Sequence, residues 1–198
     1  MKYQDKFEPE TFFHIFNHAV GNENLFRNDE NFRYFLKKYD EYTESIWETY
    51  AYCLMPNHFH FLVKINPVEA LQKLPKFADD THEFVMQKLS NLLNAYAKAY
   101  NIRYKRKGAL FLDFTKRIAV KNDAYFTALI NYIHQNPVHH GFCKSMDEWV
   151  YSSYQSCLSD KKSKIKRQEI LEWFGGKTSF EQFHRENLAV LQDDLEFL

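Results

Sequence analysis

Two histidines separated by one residue, His58 and His60, open the run HFHFLVKI, and a tyrosine and an asparagine four apart, Tyr132 and Asn136, lie in the run AYFTALINYIHQN. Imidazole nitrogens and a carboxamide oxygen are donors that a divalent cation accepts. A phenol oxygen can attack an electrophilic centre and remain bonded to it as a covalent intermediate. If residues 58–65 form a strand, side chains leave it alternately, so His58 and His60 point one way while Phe59, Phe61 and Val63 point the other. The two histidine Cβ atoms then lie roughly 7 Å apart, near enough for both rings to reach one cation. Two protein ligands hold a metal weakly, and a third is expected from elsewhere in the chain. If residues 124–136 form a helix, positions four apart share a face, and Tyr132 and Asn136 come together there. Asn136 can then supply an oxygen ligand. Two nitrogens and one oxygen suit Mg²⁺, and Mn²⁺ somewhat better, because imidazole is the softer donor. Each motif alone has a plainer account, the histidines as a half-exposed strand face and the tyrosine as helix core; their weight comes from occurring together.

These residues need a sheet and a helix to carry them. Residues 11–20, TFFHIFNHAV, are β-branched and aromatic and predict a first strand. Asp29 offers an N-cap for a helix in which Phe32, Phe35, Leu36 and Tyr39 recur at helical spacing. Residues 47–54 and 58–65 predict two further strands joined by the turn Met55-Pro56-Asn57. A long amphipathic helix is expected over 82–101, then a loop followed by a strand, ALFLDFTKRIAV. Asp123 is the expected cap of the tyrosine helix, which Pro137 is expected to end. The order strand, helix, strand, strand, helix, strand, helix predicts an α+β fold. Its form is a split βαβ arrangement, an antiparallel sheet with helices packed on one face, followed by a helical C-terminal tail. The chain changes character near residue 155, which divides it into a catalytic domain, 1–158, and a helical extension, 159–198.

A length of 198 residues allows one ordinary domain with decorations. With 45% hydrophobic and 26% charged residues and only 5 Gly and 5 Pro, the composition excludes a disordered chain. Net charge is zero, so any affinity for a polyanion must come from local distribution. Eight basic residues stand between Lys98 and Lys121 against the single acid Asp113. Of these Lys105, Arg106, Lys107, Lys116 and Arg117 are the expected phosphate contacts, with Tyr104, Phe111 and Phe114 interleaved for unpaired bases to stack on. A second basic run covers Lys161, Lys162, Lys164, Lys166 and Arg167, and the last stretch is acidic, with Asp193, Asp194 and Glu196. Cys53, Cys143 and Cys157 form no C-x-x-C pair and predict free thiols in a reducing compartment. No stretch approaches 18 apolar residues, so no membrane span is expected and the cytoplasm is the expected location.

The run YAYCLMPNHFHFLVK resembles the metal-binding strand of the HUH superfamily, histidine–hydrophobe–histidine. INYIHQNPVHHGF followed by DEWVYSSY resembles the tyrosine-helix region of the REP-associated tyrosine transposases, within the single-strand insertion-sequence transposases. FFHIFNHAVGNENLFRNDENFRYFL is similar to that family's first strand and helix, so the resemblance covers roughly residues 10–155. It implies a ferredoxin-like or RRM-like catalytic domain, and an enzyme that cleaves and rejoins single-stranded, hairpin-associated DNA through a 5′-phosphotyrosine, with Tyr132 as nucleophile and His58, His60 and Asn136 holding the divalent metal. It also implies a monomer, or a homodimer that exchanges the tyrosine helix. Two other functions fit the same residues. One is a domesticated module that binds hairpin DNA or RNA without cutting, and the other is a metal-dependent RNA-processing nuclease.

Overall fold

The computed structural model describes residues 3–187, so the end of the expected extension, with Asp193, Asp194 and Glu196, lies outside the described residues. Four strands, β1 (Phe12–His18), β2 (Trp47–Met55), β3 (His58–Ile65) and β4 (Lys116–Val120), form one sheet in the order β2-β3-β1-β4. All three pairings are antiparallel. Helix α1 (Asp29–Thr43) connects β1 to β2; a short α2 (Val68–Leu71) and the long α3 (Thr81–Arg103) connect β3 to β4. This is the split βαβ arrangement and the α+β class expected from the sequence.

Strand alternation decides what each face of the sheet does. Phe13 and Ile15 of β1 and Phe59, Phe61 and Val63 of β3 join one apolar cluster with Phe35 and Tyr39 of α1 and Leu89, Leu92 and Tyr96 of α3. Fully burying side chains of this size stabilises by about 1.5–3 kcal/mol each, which fixes the register. The residues between them, His14, Phe16, His58 and His60, therefore face the opposite side. There α4 (Asp123–His139) packs on β2 and β3. Three further helices follow, α5 (Tyr154–Leu158), α6 (Arg167–Phe174) and α7 (Lys177–Glu186). Ile170 of α6 and Phe180 of α7 belong to the same buried cluster as Leu129 and Ile133 of α4 and Ala51 and Cys53 of β2. Helices thus lie on both faces, the α1/α3 pair on one and α4 with the C-terminal helices on the other.

A bulge in strand β2 exchanges the faces of its odd- and even-numbered residues. Thr49 pairs with Val63 and Ala51 with Leu62, so Tyr50 is an extra residue. Trp47, before the bulge, is buried on the α1/α3 side, whereas Ala51, Cys53 and Met55, beyond it, are buried under α4. The outer edge of β2 is closed by later chain, through Leu54 N–H to Tyr151 O at 2.9 Å, Ser153 N–H to Tyr52 O at 2.9 Å and Lys166 N–H to Thr49 O at 2.9 Å. An edge strand closed in this way offers no template for pairing with another chain.

The C-terminal helices are also pinned by polar groups. His184 Nδ1–H donates to Phe180 O (2.8 Å), and His134 Nδ1 lies 3.0 Å from His184 Nε2. Ser153 Oγ lies 2.7 Å from His134 Nε2. One proton placement satisfies every nitrogen: Ser153 donates to His134, and His134 donates to His184. Gln135 Nε2 adds bonds to His184 O (3.0 Å) and Asn187 O (3.1 Å).

Several boundaries differ from expectation. The helix caps are Asn28 and Asn122, one residue before Asp29 and Asp123, and their side chains accept from the N–H groups of Asn31 and Tyr125. Asp29 and Asp123 instead occupy the first turn, where negative charge complements the helix dipole. Strand β4 begins at Lys116, not in the 109–115 stretch, which contributes only an isolated bridge between Ala19 and Phe111. Pro137 does not end α4. The helix stops at Gly141, whose φ of 70° suits glycine, and Phe142 N–H bonds to Pro137 O (2.8 Å) and Gly141 N–H to Val138 O (3.0 Å). All three cysteines are free. Among the described residues, no helix is long and apolar enough to cross a membrane.

Candidate active site

Strands β1 and β3 and helix α4 converge on one place. His58 and His60 leave the same face of β3, as their alternation requires, with ring centroids 5.3 Å apart and nearly perpendicular. Tyr132, on the sheet-facing side of α4, sets its ring 5.6 Å from that of His60. Asn136, one turn further on, is buried, and its Nδ2 donates to Tyr132 O at 2.9 Å. With Nδ2 occupied there, Oδ1 is the end of the carboxamide left to act as a ligand. Interactions of this side chain with both the His58 ring and the Tyr132 phenol bear on their protonation, which places it between the two.

Burial governs the electrostatics. Desolvation pulls His58 down to about 3 and His60 well below the ordinary range, helped in each case by repulsion from neighbouring histidines. Both rings are therefore neutral at physiological pH, the form in which imidazole binds a metal. His58 Nδ1–H donates to Asn57 Oδ1 at 2.8 Å, so its lone pair sits on Nε2. Burial raises the Tyr132 phenol above its usual value, and the Asn136 side chain works the other way. Among the described residues, no three His, Cys, Asp or Glu side chains are grouped to hold a metal ion. A cation at His58 and His60 would thus need an oxygen from outside those residue types, which the carboxamide of Asn136 offers. The donor set fits a divalent cation on that basis.

Further side chains surround the site that sequence reasoning did not single out. His18 stacks on His58 with centroids 5.4 Å apart, and His140, the residue that caps α4, lies 4.8 Å from the same ring. His14 is fully buried against His60, ring to ring at 5.1 Å. The signal was present in TFFHIFNHAV. Once β1 is recognised as the central partner of β3, its even-numbered residues must share the face of His58 and His60, and Phe16 and His18 pair directly with His60 and His58. A cavity of about 270 Å³ opens beside this face, lined by His18, His58 and His60 and by Leu112, Phe114 and Lys116.

The expected phosphate contacts separate into two groups. Lys105 and Lys107 are exposed and Lys116 is half-buried at the cavity. The arginines are engaged within the protein. Arg117 is buried, with Nε donating to Asp5 O at 2.7 Å and its guanidinium 5.6 Å from the Phe7 ring. Arg106 bonds to Glu23 Oε1 (2.9 Å), Asn101 Oδ1 (3.2 Å) and Ala109 O (2.7 Å). Their forked donors hold the N-terminal segment and the loop after α3, engagements that the sequence did not anticipate.

No protein-family model matches the chain. A Haemophilus influenzae protein named for the REP-associated tyrosine transposases is 25% identical over 115 residues, which cover 54% of this chain and 59% of the relative. The chain thus spans about 59% of that relative's length. A solved structure described as a REP-associated tyrosine transposase bound to a REP hairpin superposes with a TM-score of 0.60, at 14% identity, over 81% of this chain and 86% of the other. The relative supports the family resemblance read from the sequence, and the solved structure supports the fold.

Proposed function

We propose that the protein is a metal-dependent tyrosine transposase or endonuclease of the REP-associated kind, acting on single-stranded, hairpin-associated DNA in the cytoplasm. The observation that carries this reading is the approach of Tyr132 to His60, 5.6 Å between rings, with Asn136 alongside and all of it supplied by one chain.

In this reading His58 and His60, through nitrogen, and Asn136, through Oδ1, hold Mg²⁺ or Mn²⁺. A cation held there would neutralise charge on the scissile phosphate and help orient it. Tyr132 Oη attacks phosphorus in line, the phenol gives up its proton, and the P–O3′ bond breaks. The departing 3′-oxygen takes a proton, and the 5′-phosphate stays on the tyrosine. Keeping the phosphodiester as an ester of a phenol preserves the bond energy for rejoining, which a water nucleophile would lose. Lys105, Lys107 and Lys116 track the backbone, and the exposed Phe114 offers a ring for an unpaired base.

The test is a denaturing gel of protein incubated with a panel of labelled single-stranded hairpins and Mn²⁺ or Mg²⁺. A covalent adduct that needs the cation, vanishes in Tyr132→Phe and weakens in His58→Ala is the expected result. Binding without any adduct across the panel would replace this reading with that of a non-cutting hairpin-binding module.

A further inference from the structure

Beside the proposed ligands lies an imidazole to which that chemistry gives no task. His14 is fully buried on β1, and its neighbours across the sheet are Leu62 and Ile118. An apolar side chain would suit such surroundings. Instead the ring places Nε2 2.9 Å from Nδ1 of His60, and its own Nδ1 is a buried side-chain nitrogen with no hydrogen-bond partner among the described residues. A buried polar atom left unmet is costly, and a residue that imposes this cost calls for an explanation.

The neighbouring histidines supply it. His58 Nδ1–H donates to Asn57 Oδ1 (2.8 Å) and His18 Nδ1–H to Ala19 O (2.8 Å). Carbonyl oxygens only accept, so both rings carry their proton on Nδ1 and their lone pair on Nε2. His60 has no carbonyl in that position, only His14. We propose that His14 is a positioning residue that fixes the tautomer of His60: its Nε2 accepts the His60 Nδ1–H and leaves the His60 lone pair on Nε2. His14 Nδ1 then carries the second proton, and the unmet donor is the consequence. With the bond reversed, His60 would be protonated on Nε2 and could not ligate through that nitrogen. Partners behind a ligating histidine commonly act in this way. The purpose rests on the reading of His60 as a ligand, whereas the tautomer itself is a property of the metal-free protein.

The experiment uses ¹⁵N-histidine-labelled, metal-free protein and long-range proton–nitrogen correlation, with His60→Ala to assign the ring. Wild type is expected to show His60 as the Nδ1–H form. His14→Gln, which puts a carboxamide oxygen near the position of Nε2, keeps that form; His14→Leu loses it in part or whole. Mn²⁺ binding followed by electron paramagnetic resonance should weaken on the order of 10–100-fold in His14→Leu, and by much less in His14→Gln. Should His14→Leu not fold, His14→Asn, whose carboxamide stops short of the Nε2 position, replaces it. His60 found as the Nε2–H form in wild type, or an unchanged tautomer in the Leu or Asn variant, overturns the inference. A wild type that binds no Mn²⁺ but keeps a His14-dependent tautomer would sink the catalytic reading and uphold this one.

Discussion

Acid should loosen the protein through His134 and His184, and the size of the effect follows from their burial. Desolvation holds His134 well below its ordinary value and, for His184, outweighs a bond to Phe180 O and pulls it down to about 4. In the unfolded chain both titrate near 6.5. Because the folded values are the lower ones, their stabilising contribution is complete above pH 6.5 and is lost as the pH falls towards the folded values. Each group that is protonated only when unfolded removes about 1.4 kcal/mol per pH unit once well below 6.5. Together the pair should account for about 2.5 kcal/mol of lost stability between pH 7 and pH 5.5. The perturbation is the double variant His134→Leu/His184→Met. Ser153 Oγ–H keeps an acceptor in it, Tyr52 O at 3.3 Å. Urea unfolding followed by tryptophan fluorescence, at both pH values, gives the pH-dependent loss for each protein. Packing defects in the variant weaken it equally at both pH values and cancel, as do contributions from His14, His58 and His60. The variant should lose about 2.5 kcal/mol less than wild type on acidification. Equal losses would mean that the histidine chain is already charged in the native state, and the reasoning from burial would fail.

Four other outcomes are expected. Asn136→Ala should weaken Mn²⁺ binding at least tenfold by titration; unchanged affinity would remove Asn136 from the ligand set. Because Tyr132 meets His58 and His60 of its own chain, mixing Tyr132→Phe with His58→Ala should not restore adduct formation, and recovery on mixing would require exchange of α4 between copies. Replacing Lys105, Lys107 and Lys116 by Ala should lower the slope of log affinity against log salt for a single strand by about 2, at roughly 0.7 per phosphate contact. Arg117→Met should leave that slope intact and lower the melting temperature instead, since its donors are satisfied by backbone carbonyls.

The sequence disclosed the parts of the fold that depend on local period. His58–Ile65 has the expected bounds because an apolar run with histidines at alternate positions began just after a proline turn and stopped before Pro67, and α3 extends only one or two residues beyond 82–101. The pairing of His58 with His60 and of Tyr132 with Asn136 followed from the same periodicities. What could not be read depended on partners distant in the chain. His14 and His18 join the site only through the β1–β3 register. Arg106 and Arg117 read as free cations, because nothing local reveals that Glu23, Asn101 and the carbonyls of Gln4 and Asp5 receive their donors. Pro137 misled for a different reason. The pre-proline restriction is a preference that tertiary packing overrides, and the Gly141 stop lay four residues further on.

The bulge at Tyr50 also sets which length changes this gene can tolerate. Tyr50 and Ala51 follow one another yet both lie in the cluster beneath α4, and beyond them each residue of β2 faces the same way as its partner on β3. Losing Tyr50 would therefore repair the hydrogen-bond ladder and leave Ala51 and Cys53 where they are. What would go is the ring itself, with its edge contacts to Phe12 of β1 and Phe126 of α4. A one-codon deletion at that position would loosen the seat of α4 while every residue around His58, His60 and Tyr132 kept its facing.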